Sequence, residues 1–368
     1  YINIELEKVA RVIMKIAILS MQKVVNYGSF MQSFALRKTI ENLGHECEYI
    51  DIEFGVQKDG LKRDKILYLN KFKERFLNIH LIKNFKQHRL LNKRFNEEFF
   101  SELGILNRKY SSYDTVVIGS DEVFNFAQPT PWGFTEQLYG NVKEAKNVIS
   151  YAGSFGHTTM TEIEKYGVKS NITSAMRNMK AISVRDINSV NIVDSLLGIK
   201  PQMHVDPVFL YDFNQHMCEV PMKDYIIIYT YPSRISNKDE INRIVKFAKK
   251  HNKKLISVGF FFPWCDEVIT PHPFEVLSYI KNADYIITDT FHGTIFSLIN
   301  NKKFGTIIRN TNSQKLSSLL KTMKKSERII HSIESLDITL TKDITYDDTN
   351  KIILQERERS FEYLRNNL

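Results

Sequence analysis

The chain has 368 residues, a formal net charge of +9, 43% apolar and 25% charged side chains, and three widely spaced cysteines. The length suits two domains, and the balance is that of an ordinary soluble globular protein. With no C-x-x-C, no Cys/His set at zinc spacing and no apolar run near the ~18 residues of a membrane span, a disulfide scaffold, a zinc ribbon and a transmembrane protein are all excluded, and a reducing, cytoplasmic setting is expected.

The first segment, Tyr1 to Ile13, carries acidic residues and no long apolar run, unlike a secretory signal. It reads as an upstream extension or as a short surface helix. Met14-Lys-Ile-Ala-Ile-Leu-Ser20 is the first strand, and Phe30, Phe34, Leu36, Ile40 and Leu43 then fall along a helical face that Gly44 closes. Asn26, Tyr27, Gly28 and Ser29 form the strand-to-helix turn. Gly28 permits a close approach there, and Ser29 is a candidate cap. The turn carries neither a G-x-G-x-x-G nor a Walker sequence, so it is weak evidence for a nucleotide site. Glu46 to Ile52 is the second strand.

Residues 54–100 interrupt the alternation with one or two basic amphipathic helices. They read either as a solvated cover or as a contact to an anionic membrane surface or polyanionic acceptor. Strands return at 114–119, 147–152, 181–184 and 202–205, with helical spacing through Ile172, Met176 and Met179. The strand ends are polar: Gly119-Ser120-Asp121, Gly153-Ser154, Arg185-Asp186 and Asp206-Pro207. Around 209–223 the pattern stops, as a linker would.

A second alternation follows: strand 225–229, helix 237–251, strand 254–258, an aromatic loop through Pro273, helix 274–282 and a strand at Tyr285. That strand runs into Thr288, Asp289, Thr290, Phe291, His292 and Gly293, and then into an apolar helix. A polar loop between a buried strand and a helix lies at the carboxyl edge of a parallel sheet, where ligands bind. Phe304 to Ile308 is a further strand ending at Arg309-Asn310. Gln314 to Met323 is a helix with Ser313 as its expected cap, and 347–368 is a charged helix expected to fold back on the first domain. The expected fold is therefore α/β: two doubly wound Rossmann-like domains facing a cleft. They span 14–208, with the insertion at 54–100, and 209–346.

Several ordered landmarks then carry a resemblance. They are Asn26-Tyr-Gly-Ser-Phe-Met-Gln-Ser-Phe-Ala-Leu36, Val117-Ile-Gly-Ser-Asp-Glu-Val-Phe-Asn125, Ser150-Tyr-Ala-Gly-Ser-Phe-Gly156, Ile182-Ser-Val-Arg-Asp186, His204-Val-Asp-Pro207 and Asn282-Ala-Asp-Tyr-Ile-Ile-Thr-Asp-Thr-Phe-His-Gly-Thr294. Together they resemble the polysaccharide pyruvyl transferase family, whose fold is similar to that of the GT-B glycosyltransferases. Glu122 and Phe124 depart from the family's usual Gln and Trp, which is expected to shift local packing.

The resemblance implies transfer of the pyruvyl group of phosphoenolpyruvate to a sugar as a ketal, in bacterial exopolysaccharide or capsule synthesis. It implies a nucleotide-linked or lipid-linked saccharide acceptor, and a place in the cytoplasm or at the inner face of the membrane. The scheme requires no cofactor and no metal. Nucleic acid is not an expected partner, because the lysines are spread and no RNA-binding motif is present.

The chemistry needs a general acid and base, and cations for a phosphate and a carboxylate. His292 is the first acid/base candidate, with Asp289 to orient it or cap the helix. Donor-binding candidates are Arg309, Arg185, Gly293 and Thr294; either arginine could instead serve a structural ion pair. Acceptor-binding candidates are Asn26, Tyr27, Gly28, Ser120 and Asp121, the last two also being possible caps. Asp206 is a base or a turn residue, and His157 and His204 read as structural. The alternatives are a glycosyltransferase using a nucleotide sugar, for which Asp266 and Glu267 are the carboxylates in the second domain, and a non-catalytic divergent member.

Overall fold

The computed structural model describes residues 12–58, 79–105, 108–128, 130–232, 234–309 and 312–368. Most of the expected N-terminal extension and the Lys-rich part of the insertion, 59–78, lie outside the described residues.

The first unit is a parallel sheet. β1 (Lys15–Leu19) leads through α1 (Tyr27–Asn42) to β2 (Glu46–Tyr49). α2 (Ile79–Arg94) continues through a π turn, Phe95–Phe99, and a last turn to Glu102. β3 (Tyr113–Ile118), β4 (Ala145–Ser150), α3 (Met160–Lys165), α4 (Lys169–Met176), β5 (Ser183–Val184), α5 (Ile187–Leu197) and β6 (Gln202–Met203) complete it. The strand order is β2-β1-β3-β4, and the parallel pair β5-β6 joins β4 through bridges at Ile149–Ala181 and Gly153–Val184.

The second unit contains β7 (Tyr225–Tyr229), α6 (Lys238–Lys250), β8 (Lys254–Val258), β9 (Glu267–Ile269), α7 (Pro273–Asn282), β10 (Tyr285–Thr288), α8 (Phe291–Ile299), β11 (Phe304–Ile307), α9 (Ser313–Thr322), β12 (Ile329–Ile330) and α10 (Leu336–Thr341). Its six strands are parallel in the order β12-β11-β10-β7-β8-β9. The order reverses between β1 and β3 in the first sheet and between β7 and β10 in the second. The carboxyl ends of the strands at these switch points are where open α/β sheets bind ligands.

α1 is not the one-sided helix that the spacing suggests. Its residues from Tyr27 to Leu36 are all buried, because it lies between the first sheet and α7. Phe34 meets the Phe274 ring at 4.7 Å and Phe30 meets it at 5.7 Å. Its buried polar side chains are satisfied internally: Gln32 Nε2 donates to Ser20 Oγ at 3.0 Å and to Ser33 Oγ at 2.8 Å. Its cap is Asn26, whose Oδ1 accepts from Gly28 N at 2.7 Å; Ser29, the expected cap, lies inside the helix.

α2 joins the same core through Leu91, Phe95 and Phe99. It leaves Ile82, Phe85 and Leu90 outward beside Lys83, Lys86, Arg89 and Lys93. The final helix, α11 (Asp347–Asn367), crosses back to the first unit. There Tyr363 Oη donates to Ser150 O at 2.8 Å and Lys180 Nζ donates to Asn367 O at 3.0 Å. One apolar cluster therefore runs through both units and α11, from Ile16 and Phe30 to Phe274, Ile295 and Leu364. Two smaller clusters cover the far faces of the two sheets. Among the described residues no helix is long and apolar enough to cross a membrane.

Candidate active site

The strand–loop–helix at β10 is braced by its neighbour at the switch point. Thr288 Oγ1 donates to Tyr229 O at 2.6 Å, and Thr230 Oγ1 donates to Asp289 Oδ1 at 2.7 Å. Thr290, not Asp289, caps α8, its Oγ1 accepting from Gly293 N at 2.9 Å. Asp289 is wholly buried. Burial pushes its carboxyl up, against the pull of Thr230, Arg234 and Arg309. Its carbonyl accepts from Asn312 Nδ2 at 2.6 Å and Arg234 Nη1 at 3.1 Å. Asp289 thus ties the loop to β7 and to the start of α9, and neither orients His292 nor caps the helix.

The other donor-side expectations change in the same way. Arg309 spends its fork on Glu240, Nη1 and Nη2 meeting the two carboxylate oxygens at 2.7 and 2.8 Å, and its Nε lies 3.4 Å from Asp289. The bidentate geometry makes it an internal tie. Gly293 N is spent on the cap and Thr294 N on Thr290 O, so neither amide faces a ligand. A Cβ at Gly293 would lie 2.3 Å from Thr288 Oγ1, so this glycine is required for packing.

His292, in the first turn of α8, meets the first unit directly. Its Nε2 is buried without a hydrogen bond, 3.5 Å from Asp206 Oδ2, a charge-pair distance without bonding geometry. The His292 side chain packs directly against Gly28, where a Cβ would stand 2.2 Å from His292 Nδ1. Gly28 is therefore the floor beneath the imidazole rather than an open ligand contact.

Arg185, at the end of β5, donates from Nη1 to Asp206 Oδ2 at 2.7 Å and from Nη2 to Asp121 Oδ1 at 3.3 Å. Its guanidinium covers the Phe291 ring at 4.3 Å, and its Nε is buried without a partner. Asp121 Oδ2 accepts from Ser29 Oγ at 2.9 Å. Asp206 caps the turn at Pro207, its Oδ1 accepting from Val208 N at 3.0 Å, and is also an ion-pair member. Burial opposes its ionisation, but His292, Arg185 and the Val208 amide outweigh that, and its carboxyl sits below the usual range.

The remaining acceptor-side expectations separate. Ser120 is turned inward, its hydroxyl donating to Ala152 O at 3.0 Å. Asn26 Nδ2 donates to Tyr231 Oη at 2.5 Å and Tyr27 Oη to Pro271 O at 3.1 Å, so both join the two units. His204 pairs with Ser183 Oγ at 2.7 Å, and burial lowers its pKa to about 4. His157 lies 3.3 Å from Asn125 Nδ2. Glu267 opens β9 and pairs with Lys254 at 2.9 Å, while Asp266 accepts from Leu255 N. Both stand at the amino end of the second sheet, opposite the edge that carries His292, so the carboxylates considered for a nucleotide-sugar donor have no place in the cleft.

Sequence reasoning passed over Lys315. It lies in the first turn of α9 and its Nζ reaches across to Glu122 of the first unit. Burial opposes ionisation of Glu122, yet Lys315, Asn125 and Arg185 bring its carboxyl down to about 2. The departure at 122 is thus answered by a cation from the other unit, and nothing near Lys315 in sequence signals it. The departure at Phe124 is absorbed by stacking on Tyr139 at 5.6 Å. Lys315 lines a cleft of about 230 Å³ shared by Gly156, His157 and Asn188 of one unit and Gln314 of the other. It also lines a narrower crevice with Arg185, Asp206 and Phe291. Among the described residues no cluster of His, Cys, Asp and Glu has the makings of a metal site.

The family model described as polysaccharide pyruvyl transferase matches residues 26–311. No curated protein matches the chain. Similar solved structures include UDP-GlcNAc 2-epimerase from Methanocaldococcus jannaschii, at 13% identity over 96% of this chain and 99% of that one, with a TM-score of 0.49. Another is UGT89C1 of Arabidopsis thaliana complexed with quercetin, at 9% identity over 96% and 98%, with a TM-score of 0.48. A third is UDP-GlcNAc 2-epimerase from Neisseria meningitidis bound to UDP-GlcNAc, at 10% identity over 96% and 100%, with a TM-score of 0.47.

Proposed function

The chain belongs to the polysaccharide pyruvyl transferase family, and on that premise we propose that it moves the pyruvyl group of phosphoenolpyruvate onto two hydroxyls of a saccharide as a cyclic ketal. The observation that carries this reading is the pair of buried nitrogens that make no hydrogen bond, His292 Nε2 and Arg185 Nε, on the two sides of Asp206 where the units meet. Buried polar groups are nearly always satisfied, and two exceptions that converge where the units meet fit a place where a ligand completes the bonding.

In the proposed reaction His292, protonated, delivers its Nε2 proton to the methylene carbon of phosphoenolpyruvate, and the adjacent carbon becomes oxocarbenium-like. Asp206 holds the charged imidazole before transfer. Arg185 Nε holds the donor's carboxylate. One sugar hydroxyl adds to the cationic carbon and passes its proton to the freed imidazole; the C–O bond to phosphate breaks; a second hydroxyl adds and closes the ring, its proton leaving with phosphate. The balance is one phosphoenolpyruvate and one diol giving one ketal and one phosphate. A positioned acid of this kind contributes roughly 10²–10⁴-fold. The acceptor class follows the family: a saccharide, carried on a nucleotide or a lipid.

The test is calorimetry with phosphoenolpyruvate, followed by phosphate release with a panel of nucleotide-linked and lipid-linked saccharides. His292→Ala is expected to bind phosphoenolpyruvate within a few-fold of wild type while phosphate release falls by at least about 10². Arg185→Lys keeps the charge but loses the fork and is expected to weaken binding. Tight binding of a nucleotide sugar by a protein that ignores phosphoenolpyruvate would overturn the reading in favour of glycosyl transfer.

A further inference from the structure

Five charged side chains other than His292 meet where the two units face each other: Arg185 and Lys315 against Asp121, Glu122 and Asp206. Asp186 stands beside Arg185 and borders the same cleft as Lys315, so carboxylates outnumber these two cations, and a phosphate monoester entering there needs a cation that can change partners. Arg185 cannot, since two of its nitrogens are fixed by Asp206 and Asp121 and its side chain is 2% exposed. Lys315 is built differently. It comes from the opposite unit, its side chain is 18% exposed, and Glu122 is its one carboxylate partner among the described residues. It borders both the 230 Å³ cleft and the crevice that holds Arg185 and Asp206. Glu122 also has a second partner, accepting from Asn125 Nδ2 at 2.6 Å, and so stays hydrogen-bonded when the lysine leaves.

From this geometry we infer that Lys315 is a binding residue for a phosphate monoester dianion, and that Glu122 is the internal anion the ligand displaces from it. Arg185 Nε, which takes the donor's carboxylate in the proposed reaction, lines the same crevice and leaves the phosphate to Lys315. Phosphate affinity is then set by a competition within the protein: Glu122 holds Lys315 in the absence of ligand and gives it up to the phosphate. The inference rests on the proposed function only for the identity of the anion as phosphoenolpyruvate; the recognition chemistry is that of any phosphate monoester.

Calorimetry with inorganic phosphate and with phosphoenolpyruvate tests it on the full chain. Lys315→Ala is expected to weaken both at least tenfold. Glu122→Gln preserves shape and the Asn125 contact and is expected to tighten both several-fold. In the Lys315→Ala background the Glu122→Gln gain is expected to vanish. A bridge that merely holds the units together predicts that both single variants weaken binding, and that result overturns the inference. So does a Glu122→Gln gain that persists without Lys315, which assigns the effect to distant charge alone, and so does a wild-type protein that binds neither ligand. Phosphate binding that depends on Lys315, with no pyruvyl transfer to any acceptor, sinks the proposed function and leaves the inference standing. Pyruvyl transfer indifferent to Lys315 does the reverse.

Discussion

Gly28 and His292 lie in different units, and the imidazole rests where a side chain on residue 28 would be. Gly28 sits in the first turn of α1 with no positive φ, so alanine suits the helix itself and the strain falls on the ring. Gly28→Ala is therefore expected to lower turnover at least tenfold while the protein stays folded, since misplacing a reacting group by about 1 Å costs on the order of 10² in rate. Wild-type turnover in this variant would show that the ring position is not catalytically constrained. The motif around His292 was legible in the sequence, and so was Arg185 at a polar strand end. The partners were not: Gly28 and Asp206 meet His292, and Lys315 meets Glu122, from elements far away in the chain, and local spacing carries no record of that.

At the scale of elements, α11 is the clearest case of a segment held by what it touches. Tyr363 Oη donates to Ser150 O, and its ring stands 4.6 Å from the His204 ring. Tyr363→Phe removes one buried hydrogen bond and is expected to cost about 1 kcal/mol. Tyr363→Ala also opens a cavity and is expected to cost roughly 3–5 kcal/mol in urea unfolding. A loss below about 0.5 kcal/mol for the alanine variant would mean that α11 does not dock on the first unit in solution. The strands 225–229 and 254–258 and the helix ending at Asn282 were read from the sequence with little or no error, because a buried run bounded by polar residues has few other readings. β9 and β12 were missed. Each has three residues or fewer and lies at a sheet edge, and its strand character comes from the neighbour it pairs with.

The whole molecule carries a pH dependence through His204. Burial, with Arg359 nearby, lowers its pKa from 6.5 to about 4. The unfolded chain therefore takes up a proton below pH 6.5 while the folded chain refuses it until about pH 4. The stability from keeping this ring neutral is present above pH 6.5 and is lost as the pH falls from 6.5 to 4, an effect on the order of 3 kcal/mol. His204→Asn is expected to be less stable at pH 7 but to lose less between pH 7 and 4.5, as read from urea midpoints. Parallel pH curves for the two proteins would show that His204 does not carry the effect. The same scale explains Arg309. Just past a buried strand it has the look of a ligand cation, and only the tertiary placement of the first turn of α6 brings Glu240 to its fork.

The sequence by itself determined the α/β alternation, the two-unit plan and the strand-end loops that carry His292 and Arg185. Each is written in hydrophobic period and in residues adjacent along the chain. Tertiary structure alone decided which polar groups are spent and which are left. It assigned Asp289, Arg309 and Ser120 to internal bonds, and left His292 Nε2 and Arg185 Nε without a hydrogen bond. The physical reason is that a hydrogen-bonding group is satisfied by whatever the fold carries to within about 3 Å of it, and the partners of Ser120, Asp289 and Arg309 lie 32, 59 and 69 residues away.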